Sequence, residues 1–154
     1  MDGTVNSPTT NSYLRIHRLE VITVGSGEIN AGVISATADT DGTVTAEIAI
    51  GDGQTQMAIY TIPRGFTGYM TFFDIHIDPT NNFIGTLKIK SRKDNTGPWR
   101  TRFLTVHTER AASEHHEFYP PKMFIATEDI VIEFTSSANN IAVSSSFDII
   151  LEKH

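Results

Sequence analysis

The chain has 154 residues, of which 39% are hydrophobic and 19% charged, with a formal net charge of −6 and no cysteine. A chain of this length suits one domain better than two and buries roughly 70% of its unfolded surface, enough to fold without disulfides or metal. The composition excludes a disordered chain, the charge argues against binding nucleic acid over the whole surface, and no apolar run is long enough to cross a bilayer as a helix.

Met1 to Asn11 is polar and lacks the apolar centre of a signal peptide. Residues 1–12 are therefore read as an extended arm and 13–154 as one domain. Period-two alternation dominates that domain, the pattern of strands with one face on a core. The first strand is expected over 13–24. Its apolar face runs Leu14, Ile16 and then Leu19, Val21, a slip of one residue near Arg18 that a β-bulge would produce. Strands at 31–37 and 43–50 follow, the second with Val44, Ala46, Ile48 and Ile50 on one face. Between them, Asp39-Thr40-Asp41-Gly42 resembles the start of a calcium loop. The acidic ligand due six residues after the glycine is replaced by Ile48, so a hairpin turn is the simpler reading.

A strand over 55–62 ends at Pro63, and Pro63-Arg64-Gly65 reads as the turn of a hairpin into a strand at 67–78. That second strand starts apolar on both faces, with Tyr69, Phe73, Ile75 and Ile77 on one and Met70 and Phe72 on the other. Such a strand is central or packs against another subunit. Asp74, His76 and Asp78 share one of its faces. Asp beside His can do acid–base work, but no cysteine and no Gly-x-Ser-x-Gly nucleophile turn accompanies them.

Six of the 12 lysines and arginines fall in a basic hairpin built from strands at 84–92 and 99–109: Lys88, Lys90, Arg92, Lys93, Arg100 and Arg102. Lys88, Lys90 and Arg92 alternate with Leu87 and Ile89. Arg100 and Arg102 are expected on the face opposite Trp99, Thr101 and Phe103. Such a stripe either guards a sheet edge or meets an acidic neighbour. Residues 109–114 are the only stretch with helical character, one turn or a loop. His115-His116-Glu117 reads as a polar loop before Phe118-Tyr119-Pro120-Pro121. On a strand His115 and Glu117 would share a face without His116, so a metal site would need ligands from elsewhere. Strands at 123–126, 129–136 and 141–152 complete the chain. The expected fold is all-β, an antiparallel β-sandwich that is jelly-roll-like or, alternatively, immunoglobulin-like.

Two segments carry a resemblance. Thr10-Asn11-Ser12-Tyr13-Leu14-Arg15-Ile16 leads into Val21-Ile22-Thr23-Val24-Gly25-Ser26-Gly27 and the Asn30-to-Ile34 stretch. Gln54-Thr55-Gln56-Met57-Ala58-Ile59-Tyr60-Thr61-Ile62-Pro63 then leads to Gly65 and Thr67-Gly68-Tyr69-Met70. Together they resemble virion-associated structural proteins of tailed, often marine, bacteriophages, over about the first half of the chain. In longer proteins of that group a further β segment precedes an LDGT stretch that corresponds here to Asp2-Gly3-Thr4. The resemblance thus implies that this chain starts where that segment ends, as a fragment, a processed form or a shorter member.

The resemblance implies a part of the virion, made in the host cytoplasm, that stabilises the head as a capsid decoration or cement protein. A neck, tail or fibre-associated domain that binds a partner protein or host glycan is the alternative. The expected partners are other virion proteins, the major capsid protein or neck and tail components, and further copies of the chain, a trimer among the candidates. Membrane and nucleic acid are not expected as partners, and neither enzymatic activity nor a metal or other cofactor is expected. Candidate protein-contact residues are Phe72, Asp74, His76, Trp99, Phe118 and Tyr119, with Arg92, Arg100 and Arg102 as charged partners.

Overall fold

A computed structural model describes residues 8–11, 13, 16–79, 82–94, 96–108, 112–139 and 141–154, in two compact units, residues 1–57 and 58–154. The described residues contain strands and turns and no helix.

In the first unit, β1 (Ile34–Thr37) and β2 (Val44–Ile48) form an antiparallel hairpin. Its turn is the Asp39–Gly42 stretch, which bends as a hairpin turn with Gly42 at φ 72°. The Asp41 carboxylate accepts the Thr43 amide at 3.0 Å, and that hydrogen bond holds its pKa below the ordinary carboxylate value. Among the described residues, the strand expected over 13–24 is not formed. Only Glu20 makes a bridge, to Gln54, so the slip near Arg18 has no ladder to bend; Leu14 lies outside the described residues. Turn chemistry replaces the strand. Buried Asn30 donates to the carbonyls of Gly32 and Ala49 at 3.0 and 2.8 Å and accepts the amides of Gly51 and Gly53, each at 3.2 Å. One side chain thereby stands in for a ladder.

The second unit is the sandwich. It comprises β3 (Ile59–Thr61), β4 (Phe66–Pro79), β5 (Ile84–Lys93), β6 (Arg100–Thr108), β7 (Ala112–Phe124), β8 (Glu128–Ser136) and β9 (Ile141–Lys153). One sheet runs β3-β8-β5-β6 and the other β7-β4-β9, with every pairing antiparallel. The pairs β4–β7 and β5–β8 lie in opposite sheets, the central pairing of an immunoglobulin-like sandwich. The first and last strands have exchanged sheets relative to that scheme.

Three expectations change here. Pro63-Arg64-Gly65 does not close a hairpin: β3 and β4 belong to different sheets, and the segment carries the chain across the core with Gly65 at φ 83°. The polar loop expected at 115–117 and the short strand at 123–126 are parts of one strand, β7. Of the stretch with helical character, 109–111 lies outside the described residues and Ala112 onward is strand. Cross-strand pairing with β4 decides these cases, and pairing leaves no local trace in a sequence.

The two-faced apolar start of β4 has a simple cause. A register shift between Met70 and Phe72 makes Thr71 an extra residue. Met70 and Phe73 then both point inward with Ile75 and Ile77, and all four are almost wholly buried, while Phe72 is turned to the outer face. These residues meet Leu87, Ile89 and Ile130 of the facing sheet in one core. Gly85 sits beneath the rings of Phe134 and Phe83, where a Cβ would collide with both. The outward phase of β5 is as expected: Leu87 and Ile89 are fully buried between half-exposed Lys88, Lys90 and Arg92.

Candidate functional site

The outer face of the β7-β4-β9 sheet collects the most chemistry. Antiparallel register sets side chains in rows across three strands about 4.8 Å apart. One row is Ser113, His76 and Ser144; the next is His115, Asp74 and Ser146; the third is Glu117, Phe72 and Asp148. The first two rows line a shallow depression of about 510 Å³.

Asp74 is its hub. His115 Nδ1 lies 2.5 Å from Asp74 Oδ1, and its Nε2 lies 3.5 Å from Glu117 Oε1. The hydrogen bond to Asp74, and secondarily the one to Glu117, raises the His115 pKa above 6.5 against the opposing effect of desolvation. Ser146 donates to Asp74 Oδ2 at 3.4 Å, and Ser145 donates to the Asp74 carbonyl at 2.8 Å. His76 Nδ1 meets Ser113 Oγ at 2.8 Å. The acid and the hydroxyl thus contact different histidines, so the Asp–His–Ser relay of nucleophilic catalysis is not assembled by these contacts. Among the described residues, no group of three or more His, Asp or Glu is arranged to hold a metal.

At the end of this face β7 bulges. Glu117 pairs with Phe72 and Lys122 with Met70, so Phe118 to Pro121 loop away from the ladder. Phe118 turns into the core, against Phe73 and Phe103 at 5.9 and 5.5 Å between ring centroids. Tyr119 turns fully outward. His116, on the inner face as its neighbours' alternation requires, stacks on Phe73 at 5.3 Å and approaches Phe103 at 4.5 Å.

The basic hairpin is largely occupied by acids of the neighbouring strand β8. Lys90 Nζ lies 2.5 Å from Glu133, and Arg92 Nε lies 3.0 Å from buried Asp129, with its guanidinium 4.6 Å above the Trp99 ring. Arg102 donates to the Met123 carbonyl at 2.9 Å and reaches buried Glu128 at 3.4 Å. A register shift between Ile89 and Lys90 pairs Lys90 with Thr101, so Thr101, rather than Arg100 and Arg102, lies on the lysine face. Arg100 is exposed.

The structure therefore brings Phe72, Asp74 and His76 together and sets Tyr119 on the strand beside them. It joins Arg92 to Trp99 elsewhere and uses Phe118 for packing. Sequence reasoning missed Ser113, Ser144 and Ser146 as neighbours of Asp74 and His76. The outward phase of Ser144 and Ser146 was legible; the strand at Ser113 and the adjacency of β7, β4 and β9 were not. No protein-family model, curated protein or solved structure matches the chain.

Proposed function

We propose that the chain is a structural component of a tailed-phage particle, a head decoration or cement protein that strengthens the capsid through protein–protein contacts. The sequence resemblance over residues 10–70 suggests the particle, and Tyr119 carries the reading on geometry. Its ring is wholly open to solvent, next to Phe118 fixed in the core and to a pair of prolines. A rigid exposed aromatic of this kind is the usual anchor of a protein interface when a partner offers it a pocket. Phe72, flanked by Glu117 and Asp148, supplies a mixed rim alongside.

Purified protein added to capsids stripped of it should reattach and raise their resistance to heat, whereas Tyr119→Ala protein should stay in solution. A wild-type protein that rebinds no capsid would overturn the reading.

A second reading has its own observation. The 510 Å³ depression presents serine hydroxyls, an imidazole and a carboxylate beside an aromatic ring, the chemistry that recognises sugar hydroxyls. That surface would suit a neck, tail or fibre-associated domain that touches host glycan. Antibody labelling of intact particles distinguishes the two, on the head for the first and on the tail for the second. In both readings the chain acts by binding, with Asp74 orienting one histidine and Ser113 contacting another.

A further inference from the structure

From the free edge of β9, we infer that two copies of this chain pair through their β9 strands, antiparallel about a twofold axis at Ser146, joining their three-stranded sheets into one continuous six-stranded sheet. The inference stands apart from the virion reading, because it rests only on the sandwich.

The sandwich has four edge strands, and three are defended. β3 has only three residues. β6 carries Arg100 and Arg102 with a register shift beside them. β7 breaks at Tyr119-Pro120-Pro121. Charges, bulges, prolines and short length are how proteins keep an edge from recruiting another strand. β9 is long, at 13 residues, and has no proline and no bulge of its own, since its register with β4 shifts only through the extra residue in β4. It carries charge only at Asp148 and at its end, Glu152 and Lys153. Among the described residues it pairs with β4 alone. Its core-facing side is also incompletely covered: Val143 and Leu151 remain 37% exposed, whereas their partners on β4, Ile77 and Gly68, are buried. A strand added here would satisfy a row of amide and carbonyl groups and cover those side chains together.

The occupant that fits is β9 itself. Antiparallel pairing with Ser146 opposite Ser146 sets Ile149 against Val143, Leu151 against Ile141 and Ile150 against Ala142. It also sets Asp148 against Ser144, whose hydroxyl can donate to the carboxylate. Every apolar side chain except Phe147, which meets Ser145, faces an apolar one. With Phe147 on the axis instead, Lys153 faces Ile141 and Ile149 faces Ser145. With Ser145 on the axis, Asp148 faces Ala142, and Ile150 and Leu151 have no partner within the strand. The pattern of β9 therefore specifies its own register.

The chain has no cysteine, so one introduced thiol reports the pairing cleanly. The full chain should run as a dimer by light scattering, and Ser146→Cys should form a disulfide-linked dimer under mild oxidation, whereas Thr105→Cys on β6 should not. Ser146→Lys places two ammonium groups on the axis and should halve the mass while the far-ultraviolet spectrum stays that of the wild type. Ser144→Lys places an ammonium opposite Asp148 of the other copy and should tighten the dimer roughly two- to thirtyfold, the usual worth of two cross-strand ion pairs. A monomeric wild type, a trimer, or a dimer that crosslinks through β6 and not through Ser146→Cys would overturn the proposal.

Discussion

His115 Nδ1 and Asp74 Oδ1 face each other at 2.5 Å across the β4–β7 pair, on an exposed surface where the imidazole has a second carboxylate, Glu117, at its other nitrogen. The arrangement favours the charged ring, so the folded-state pKa lies above 6.5. A raised histidine pKa adds stability that is fully present below the unfolded value and is lost as pH rises through the folded one. The His115 ring resonances should titrate above the ordinary histidine value and move back toward it in Asp74→Asn, with Glu117 still holding part of the rise. The stability difference between wild type and Asp74→Asn should be greatest in mildly acidic solution and shrink as the pH passes above neutrality. An unchanged His115 midpoint in the variant would remove Asp74 as the cause.

Adjacent residues Phe118 and Tyr119 should separate stability from binding. Phe118 is 9% exposed and packs on two phenylalanines. Phe118→Ala should cost about 3 to 5 kcal/mol in urea unfolding. Tyr119 is wholly exposed, so Tyr119→Ala should lie within about 0.5 kcal/mol of wild type, while the proposed function requires that it lose capsid rebinding.

Arg92 and Asp129 form the most buried ion pair described, with Asp129 2% exposed and accepting also from Thr61. Removing one member leaves a carboxylate poorly compensated, and Arg92→Ala should destabilise by about 3 kcal/mol. Trp99 is the single tryptophan and lies under the Arg92 guanidinium. Its fluorescence should therefore change in the folded Arg92→Ala protein, independently of stability.

Asn30 should matter out of proportion to its size. Its amide supplies four hydrogen bonds that tie Gly32, Ala49, Gly51 and Gly53 together, in a unit whose buried apolar side chains, among the described residues, are Ala46 and Ile48. Asn30→Ala should cost about 3 kcal/mol or more, as several buried polar groups lose their partner. The loss should appear first as faster amide exchange at Gly51 and Gly53. Unchanged exchange there would show that the backbone turn holds by itself.

The all-β class was legible because alternation in β2, β5 and β9 is strict and the turns between them are marked by glycine, asparagine and proline. The chemistry of single residues was legible too: Asp74 and His76 on one face, and His115 with Glu117 opposite His116. What escaped was everything set at a distance. The segment 13–24 has strand composition but, among its described residues, finds one bridge, at Glu20. Residues 115–117 have loop composition but are held as strand by β4. The serines of β9 meet Asp74 only because two strands some seventy residues apart in sequence are neighbours in space. The arginines looked available for a partner because nothing near them in the chain announced Glu128 and Asp129 as the acids they would meet.

The placement of β4 between β7 and β9 also orders events at the ribosome. β4 is made early, yet its nearer partner begins at residue 112 and its farther one at 141. The strand that supplies the most buried core residues must therefore wait, with both edges open, until both its partners have emerged. Pairing over such separations is slow to nucleate. A newly made chain is thus most vulnerable to clumping just before β9 appears, and a stop codon ahead of Ile141 should yield insoluble material where substitutions on the surface of β9 do not.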